Sequence, residues 1–552
     1  MQKKKLDSRI PTLINNSHLL NHRSFFIIVG DQGREQVVTL HYLLSKLLLK
    51  RPSVLWCYKK DLGFTSHRKK RMNQIKKQVA KGIREVDQEN PFELFVSSTD
   101  IRYNYYKESD KILGQTFGML ILQDFEALTP NLLAKTIETV QGGGIIVLLL
   151  KTMNSLKQLY AMTMDVHSRY RTESHQDMVA RFNERFILSV GGCSNCLVVD
   201  DELNILPISA GRSVKPIRKE EDLVDQELVD LKESLKDVVP TGSLVSCAKT
   251  VDQAKAILTF IDAISEKTLR STVTLTAARG RGKSAALGIA IASAVAYGYS
   301  NIFITSPTPE NLKTLFEFIF KGFDAIGYKE HLDYDIIQSN NPDFQKAIVR
   351  VNVFKEHRQT IQWIQPSDYH VLAQAELVII DEAAAIPLPI VKKLMGNYLI
   401  FMASTINGYE GTGRALSLKL IQQLREQSRT VETGNGVSVG RDGKETKDSL
   451  SPSVGGRTLR EVKLEEPIRY GQNDPIENWL NNLLCLNCCN PDNSKVRANV
   501  GCPHPSMCEL YYVNRDTLFS YHPVSEAFLQ KMMSLYVASH YKNSPNDLQL
   551  LR

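Results

Sequence analysis

Apolar runs of strand length alternate with helix-length amphipathic stretches along the first 200 residues. Residues 24–30 (SFFIIVG), 53–58 (SVLWCY), 117–125 (FGMLILQDF) and 143–150 (GGIIVLLL) are nearly continuous in large apolar side chains. That pattern predicts parallel strands covered on both faces rather than half-exposed ones. VVTLHYLLSKLLLK, between the first two, predicts a crossover helix. The same grammar returns in the middle of the chain: STVTLTA predicts a strand, KSAALGIAIASAVAY a helix and NIFITSP a strand, with AELVIIDEA and YLIFMAST as two more buried strands. Such alternation is α/β architecture. Both blocks run strand, glycine turn, helix, and later a strand ending in acid. The first has GDQGRE where the second has RGRGKS, and LQDFEAL where the second has IIDEAAA. The first block therefore reads as a nucleotide-binding-like fold without the phosphate lysine, or equally as ordinary doubly wound α/β.

Three segments break the grammar. Residues 206–237 carry mixed charge and include RKEEDLVDQELVDLKESLKD, a solvated helix in prospect. Residues 427–458 are polar and glycine-rich, which predicts a mobile loop. Residues 490–504 are rich in Asn, Pro and Gly and predict a loop.

The length of 552 residues suggests roughly three or four domains. A hydrophobic share of 43% is enough for ordinary globular cores. Net charge +8 and a pI near 8.8 favour an anionic partner such as RNA, although many soluble proteins are mildly basic. No run of about 18 apolar residues occurs, so no membrane span is expected. The start, MQKKKLDSRIP, lacks the apolar stretch of a signal peptide, and the nine cysteines are expected to be reduced. Cys193/Cys196 and Cys485/Cys488 have C-x-x-C spacing, and Cys489, Cys502, His504 and Cys508 follow. The spacing fits no standard zinc ribbon, so buried thiols are expected in preference to a metal site.

The sharpest chemistry lies in residues 277–284, AARGRGKS. A phosphate-binding loop reads G-x-x-x-x-G-K-[ST], and here Ala277 replaces the first glycine. Gly280 and Gly282 let the backbone wrap a phosphate, within a loop of Thr276, Ala277, Ala278, Arg279 and Arg281. Lys283 supplies charge to the β- and γ-phosphates, Ser284 holds Mg2+, and the next helix offers its N-terminal N–H groups. About 100 residues on, LVIIDEAAAIP ends a buried strand with Asp381 and Glu382. Burying two adjacent acids unpaired is costly, so they point to a ligand. Asp381 is expected to bind Mg2+, and Glu382 to orient or activate the attacking water. The two motifs together predict an ATP site. Ser404 and Thr405, after another apolar strand, are placed to sense the γ-phosphate. Gln253, thirty residues before Lys283, has the place of an adenine-reading glutamine, and equally of a surface one. Arg469 could reach the γ-phosphate or sit in solvent.

With AARGRGKSAAL, VIIDEAAAIPLP and STINGYEGTGR on the page, the chain resembles the RNA cytidine acetyltransferase family, most closely its eukaryotic members. DSRIPTLI, LGFTSHRKKR, ILQDFEALTPNLLAKTIETV, ELYYVNRDTLFSYH and LYVASHYKNSPNDLQ extend the likeness over nearly the whole length. The resemblance implies an N-terminal wound α/β domain (1–200), a charged linker (201–243), a RecA-like ATPase module (244–485) and the start of a GNAT-like acetyltransferase domain (486–552). It implies ATP-dependent formation of N4-acetylcytidine in small-subunit rRNA and certain tRNAs, with acetyl-CoA as donor. It also implies a nucleolar, nuclear setting, the pre-ribosomal particle and a tRNA adaptor protein as partners, and a homodimer among the assemblies. TAARGRGKS is the family form of the loop, and Gln253 and Arg469 fall on the family's nucleotide contacts. One departure is large: no R/Q-x-x-G-x-G/A loop for the CoA pyrophosphate follows Asn478, and EGTGRA at 410–415 matches only superficially. The chain is therefore expected to hydrolyse ATP without transferring acetyl alone, as a fragment or a shortened isoform.

Weaker features stay open. HRKKRMNQIKKQVAKGIR, residues 67–84, could contact RNA phosphates, serve as a nuclear address, or be a solvated helix face. Tyr103, Tyr105 and Tyr106 could stack bases or belong to core and surface. CELYYVNRDTLFSYH reads as a strand, and FLQKMMSLYVASHYK as an amphipathic helix with Phe528, Met532, Leu535 and Tyr536 on its apolar face, either exposed or covered by a partner. The competing functions are a free-standing RNA helicase and a non-enzymatic pre-ribosomal scaffold.

Overall fold

The computed structural model describes residues 6–59, 91–152 except 113, 158, 164, 181–208, 213–217, 225–268, 270–341 and 344, together with 346–405, 458–488, 504–539 and 544–550. The front of the chain runs α1 (Arg9–Leu19), β1 (Ser24–Val29), α2 (Gly33–Leu47), β2 (Val54–Tyr58), α3 (Pro91–Ser98), β3 (Ile101–Tyr105), β4 (Phe117–Leu122), α4 (Pro130–Ile137), β5 (Val140–Leu150), α5 (Arg181–Gly191) and β6 (Cys196–Asp200). The middle runs α6 (Gln226–Ser234), α7 (Thr241–Val245), α8 (Val251–Ser265), β7 (Ser271–Ala277), α9 (Lys283–Ala296), β8 (Asn301–Thr305) and α10 (Lys313–Ala325). It continues with β9 (Tyr334–Gln338), β10 (Ile348–Val353), β11 (Gln359–Ile364), β12 (Leu377–Ile380), α11 (Leu388–Lys393), β13 (Leu399–Thr405) and β14 (Thr458–Leu464). Last come α12 (Pro475–Leu483), α13 (Arg515–Leu518), α14 (Pro523–Ser539) and α15 (Asp547–Leu550). Two compact units result: residues 1–222 with 469–539 and 543–552, and residues 223–468 with 540–542.

In the first unit the strands lie in the order β3-β2-β4-β5-β1-β6, and every neighbouring pair is parallel. Phe26, Ile28, Trp56, Ile121 and Val147 from the sheet pack with Ile10, Leu13, Leu40 and Leu44 from α1 and α2. Thr129 caps α4 by accepting from the Leu132 N–H, and Pro130 sits at the first turn, where its missing N–H costs nothing.

In the second unit the order is β14-β7-β13-β12-β8-β11-β10-β9. All neighbours from β14 to β11 are parallel, and β10 and β9 extend the edge as an antiparallel ribbon. Without that ribbon the sheet reads β14-β7-β13-β12-β8-β11, which is the N-terminal order β6-β1-β5-β4-β2-β3 strand for strand. The likeness reaches the backbone. Asp124 after β4 and Glu382 after β12 are both left-handed (φ +59 and +50), and each leads into a 3-10 turn, Phe125–Ala127 and Ala383–Ala385. The first turns differ. Three residues join β1 to α2 where five join β7 to α9.

Several expectations need correction. Residues 508–514 form no strand; Leu510, Tyr511 and Tyr512 are exposed, and no described strand pairs with them. The buried face of α14 is Leu529, Met533 and Val537, with Met532 and Tyr536 packed beside it, whereas Phe528 and Leu535 are exposed. Strands β3 and β6 carry no long apolar run and were not predicted. Residues 469–488 and 504–539 pack in the unit of the N-terminal sheet, not with the module that precedes them in the chain. Arg23, fully buried, explains part of this: its Nε donates to Asp474 Oδ2 at 2.5 Å and its guanidinium lies 3.9 Å from the centre of the Tyr470 ring. Arg185 holds Glu526 through both carboxylate oxygens, at 2.7 and 2.8 Å.

Tyr106 is a core residue whose hydroxyl donates to the Gln123 carbonyl; Tyr103 packs near Trp56, and Tyr105 is partly exposed against Tyr58. Helix α6, in the charged segment, buries no residue. The basic run 67–84, residues 427–457 of the glycine-rich stretch, EGTGRA and residues 490–503 lie outside the described residues.

Candidate nucleotide site

Strands β7, β12 and β13 are parallel members of one sheet, so their carboxyl ends lie on one side of it. Ala277 is the last residue of β7, buried and paired with Thr405 on β13 and Leu464 on β14. A residue inside a strand needs no positive φ, which is why alanine serves here in place of the first glycine. The chain turns at Gly280 (φ +76) and Gly282 (φ +81). A Cβ on Gly282 would lie 2.6 Å from both Gln253 Nε2 and Ile468 Cδ1, so the second position does require glycine. Thr276 turns its hydroxyl toward the Val462 carbonyl at 3.3 Å.

Lys283 opens α9, and its ammonium meets three groups: Glu382 Oε1 at 2.6 Å, Asp381 Oδ1 at 3.1 Å and Thr405 Oγ1 at 3.3 Å. Ser284 Oγ donates to Asp381 Oδ2 at 3.1 Å. Thr405 Oγ1 lies 3.0 and 2.8 Å from the two Glu382 carboxylate oxygens. These side chains are shielded from water: Lys283 is 9% exposed, Asp381 3% and Glu382 19%. Burial works against the Lys283 charge, but the two carboxylates outweigh it and hold its pKa above the ordinary lysine value. Burial likewise works against the Glu382 charge, yet Lys283, Arg279 and the hydrogen bonds from Lys283 and Thr405 hold its carboxyl below the usual range.

Gln253 is buried beside this loop. Its Oε1 accepts from the Lys249 N–H at 2.9 Å, and its Nε2 donates to the Gly282 carbonyl at 3.3 Å. It therefore braces the loop rather than standing free at a surface. Arg281 donates to the Glu465 and Arg279 carbonyls. Arg469 lies in the other compact unit, where its guanidinium donates to the Glu138 carbonyl. Asp252, whose position in the first turn of α8 reads in sequence as ordinary capping, accepts from the backbone N–H groups of Glu465 and Glu466. Nothing in the spacing marks that contact.

The donor set fits a phosphate chain with a divalent cation. Two left-handed glycines shape a cradle closed to any Cβ at 282, an ammonium faces it, and Ser284 and Asp381 offer adjacent oxygens. Cys193, Cys196, Cys485 and Cys488 are buried free thiols, and His504 and Cys508 are exposed. No group of three or more metal-ligating side chains occurs among the described residues.

Residues 274–487 match the family model "RNA cytidine acetyltransferase NAT10/TcmA, helicase domain". Residues 1–201 match "tRNA(Met) cytidine acetyltransferase TmcA, N-terminal", and residues 531–552 match "GNAT acetyltransferase 2". The chain is 66% identical over 556 residues to the RNA cytidine acetyltransferase of Schizosaccharomyces pombe, covering 100% of this chain and 53% of that protein. It is 68% identical over 561 residues to that of Saccharomyces cerevisiae, with coverage of 100% and 53%. The human protein of the same name is 65% identical over 558 residues, with coverage of 100% and 54%. The chain thus spans about half the length of the curated relatives it matches.

Proposed function

The chain belongs to the RNA cytidine acetyltransferase family, and from that premise we propose that its second unit hydrolyses ATP with Mg2+ in support of acetyl transfer to cytidine N4 in RNA. The observation that carries this reading is the meeting of Lys283, Ser284, Asp381, Glu382 and Thr405 at the ends of neighbouring parallel strands. In it, the loop N–H groups and Lys283 would hold the β- and γ-phosphates, and Ser284 and Asp381 would hold Mg2+. Mg2+ held there would supply charge neutralisation at the phosphate oxygens. Lys283 exchanges its carboxylate partners for phosphate. Glu382, kept in orientation by Thr405, accepts a proton from the attacking water.

The RNA targets in this reading are small-subunit rRNA in the pre-ribosomal particle and certain tRNAs presented by an adaptor protein. The setting is the nucleolus and nucleus, and acetyl-CoA is the donor for the whole enzyme. The net charge of +8 agrees with an RNA partner. Residues 1–552 contain no recognisable CoA pyrophosphate loop after Asn478. We read them as the ATPase-bearing half, which does not acetylate RNA by itself. The test is one preparation of residues 1–552 assayed twice: for RNA-stimulated ATP turnover, and for labelled acetyl transfer from acetyl-CoA to a small-subunit RNA hairpin. Turnover without N4-acetylcytidine is expected. Robust acetylation would place a CoA site within these residues, duplex unwinding would make the chain a helicase, and no turnover would leave a scaffold.

A further inference from the structure

Residues 465–468, which follow β14, lie along the phosphate loop and are bonded to it. The Ile468 N–H donates to the Gly280 carbonyl at 2.9 Å, and Arg281 Nε donates to the Glu465 carbonyl at 3.1 Å. Ile468 Cδ1 covers Gly282, 2.6 Å from where a Cβ would stand. The sheet explains the arrangement: β14 runs parallel to β7 with Leu464 opposite Ala277, so segment and loop leave the sheet side by side. The segment is gripped in turn by one carboxylate. Asp252 Oδ2 accepts from the Glu465 N–H at 2.7 Å and the Glu466 N–H at 2.9 Å, and Oδ1 accepts from the Thr250 hydroxyl. Next to it in the chain, Gln253 Nε2 donates to the Gly282 carbonyl of the same loop at 3.3 Å.

A loop with two left-handed glycines has many conformations to lose when it closes on phosphate, and holding it in shape beforehand removes that cost from binding. We propose that Asp252 is a positioning residue of the nucleotide site: through the strap 465–468 it holds the phosphate loop in its binding shape before nucleotide arrives. The two strap bonds are charge-assisted, which makes them stronger than neutral backbone pairs. Asp252 touches no phosphate in this scheme, and its effect passes wholly through residues 465–468. The proposal rests on the reading of residues 277–284 as an ATP site.

The experiment measures the Kd of a fluorescent ATP analogue with Mg2+ for wild type, Asp252→Ala, Asp252→Asn and Lys283→Ala. Thermal midpoints and hydrogen exchange of the loop amides are followed on the same samples. Asp252→Ala is expected to weaken binding by about tenfold, with most of the loss in Kd rather than in turnover at saturating nucleotide. Exchange at the loop amides rises in the nucleotide-free protein. Asp252→Asn keeps an acceptor oxygen and loses the charge, so it falls between; should Asp252→Ala not fold, a weakening of about threefold in the Asn variant is the expected result. A Kd for Asp252→Ala within about twofold of wild type overturns the proposal, as does a fall in thermal midpoint with Kd and loop exchange unmoved, the signature of a helix-capping role alone. Binding that is absent in wild type, or unchanged in Lys283→Ala, overturns the ATP-site reading and this proposal with it. Normal dependence on Lys283 with an unmoved Asp252→Ala overturns only the proposal.

Discussion

Lys283 is a buried ammonium paired with two carboxylates, Asp381 and Glu382, and most of the site's behaviour follows from that. Lys283→Ala is expected to abolish ATP hydrolysis, because Lys283 is the ammonium that meets both acids. It also leaves Asp381 and Glu382 without their cation, a change that costs about 3–5 kcal/mol at buried pairs, so the nucleotide-free protein melts earlier. An ATPase rate within about threefold of wild type would end the phosphate-loop assignment. Glu382→Gln preserves shape and the Thr405 contact while removing the base. Nucleotide Kd should stay within a few-fold as turnover falls by about 100-fold or more. An equal loss of binding would make Glu382 structural. The cysteines provide a separate check. Burial pushes the Cys193 thiol up to about 12 and Cys485 up to about 11, the latter despite Arg185 beside it. Cys508 is exposed. The thiolate is the reactive form, so iodoacetamide at about pH 8 should label Cys508 in the native protein and spare Cys193 and Cys485 until it unfolds. Peptide mass mapping reads the result, and labelling of Cys193 at the rate of Cys508 would contradict the packing.

Among the elements, α14 shows how far periodicity carries. Phe528, Met532, Leu535 and Tyr536 make an acceptable apolar stripe, and so do Leu529, Met533 and Val537. A helix apolar on most of its surface does not choose between them. The neighbours do: Cys485, Cys488, Leu518 and Phe519 receive the second stripe. Leu529→Ala should therefore cost about 2–5 kcal/mol, as buried leucines do, while Leu535→Ala changes stability by about 0.5 kcal/mol or less. Chemical denaturation of the two variants distinguishes the faces, and equal losses would restore the other one. Strands β1, β2, β4, β5, β8, β12 and β13 were legible as buried apolar runs, and β7 (STVTLTA) as a β-branched one. Strand β3 (IRYNY) was not, since its identity comes from pairing beside β2 rather than from its own composition.

At the scale of the whole molecule, the chain holds two sheets that share one strand order, and they differ in the turn that follows the first strand of each. In the N-terminal unit the corresponding turn is shorter by two residues. The Asp31 N–H donates to Thr152 Oγ1 at 3.1 Å, and the Thr152 N–H to Asp31 Oδ1 at 3.2 Å. The Asp201 side chain fills the space beside Gly30, 2.5 Å from where a Cβ would lie. A turn lined by carboxylates repels phosphate. Calorimetric titration should find about one nucleotide per chain, and Lys283→Ala should remove it entirely. A second nucleotide that survives Lys283→Ala would show that the N-terminal turn opens to a ligand.

The sequence by itself determined the α/β class, the strands that are buried on both faces, the glycine turn ahead of Lys283, the acid pair and the family. Each of these is written in a short contiguous stretch, where apolar runs, glycine positions and residue chemistry act locally. Tertiary structure alone decided what those stretches meet. Lys283 finds Glu382 99 positions away, and Arg23 finds Asp474 451 positions away. Asp252 reaches Glu465 across 213. The packing of residues 469–488 and 504–539 in the unit of the N-terminal sheet, the buried face of α14 and the strap along the glycine turn depend on such pairings. A contact between distant segments is selected by shape, burial and charge balance in the assembled chain, and no local pattern encodes it.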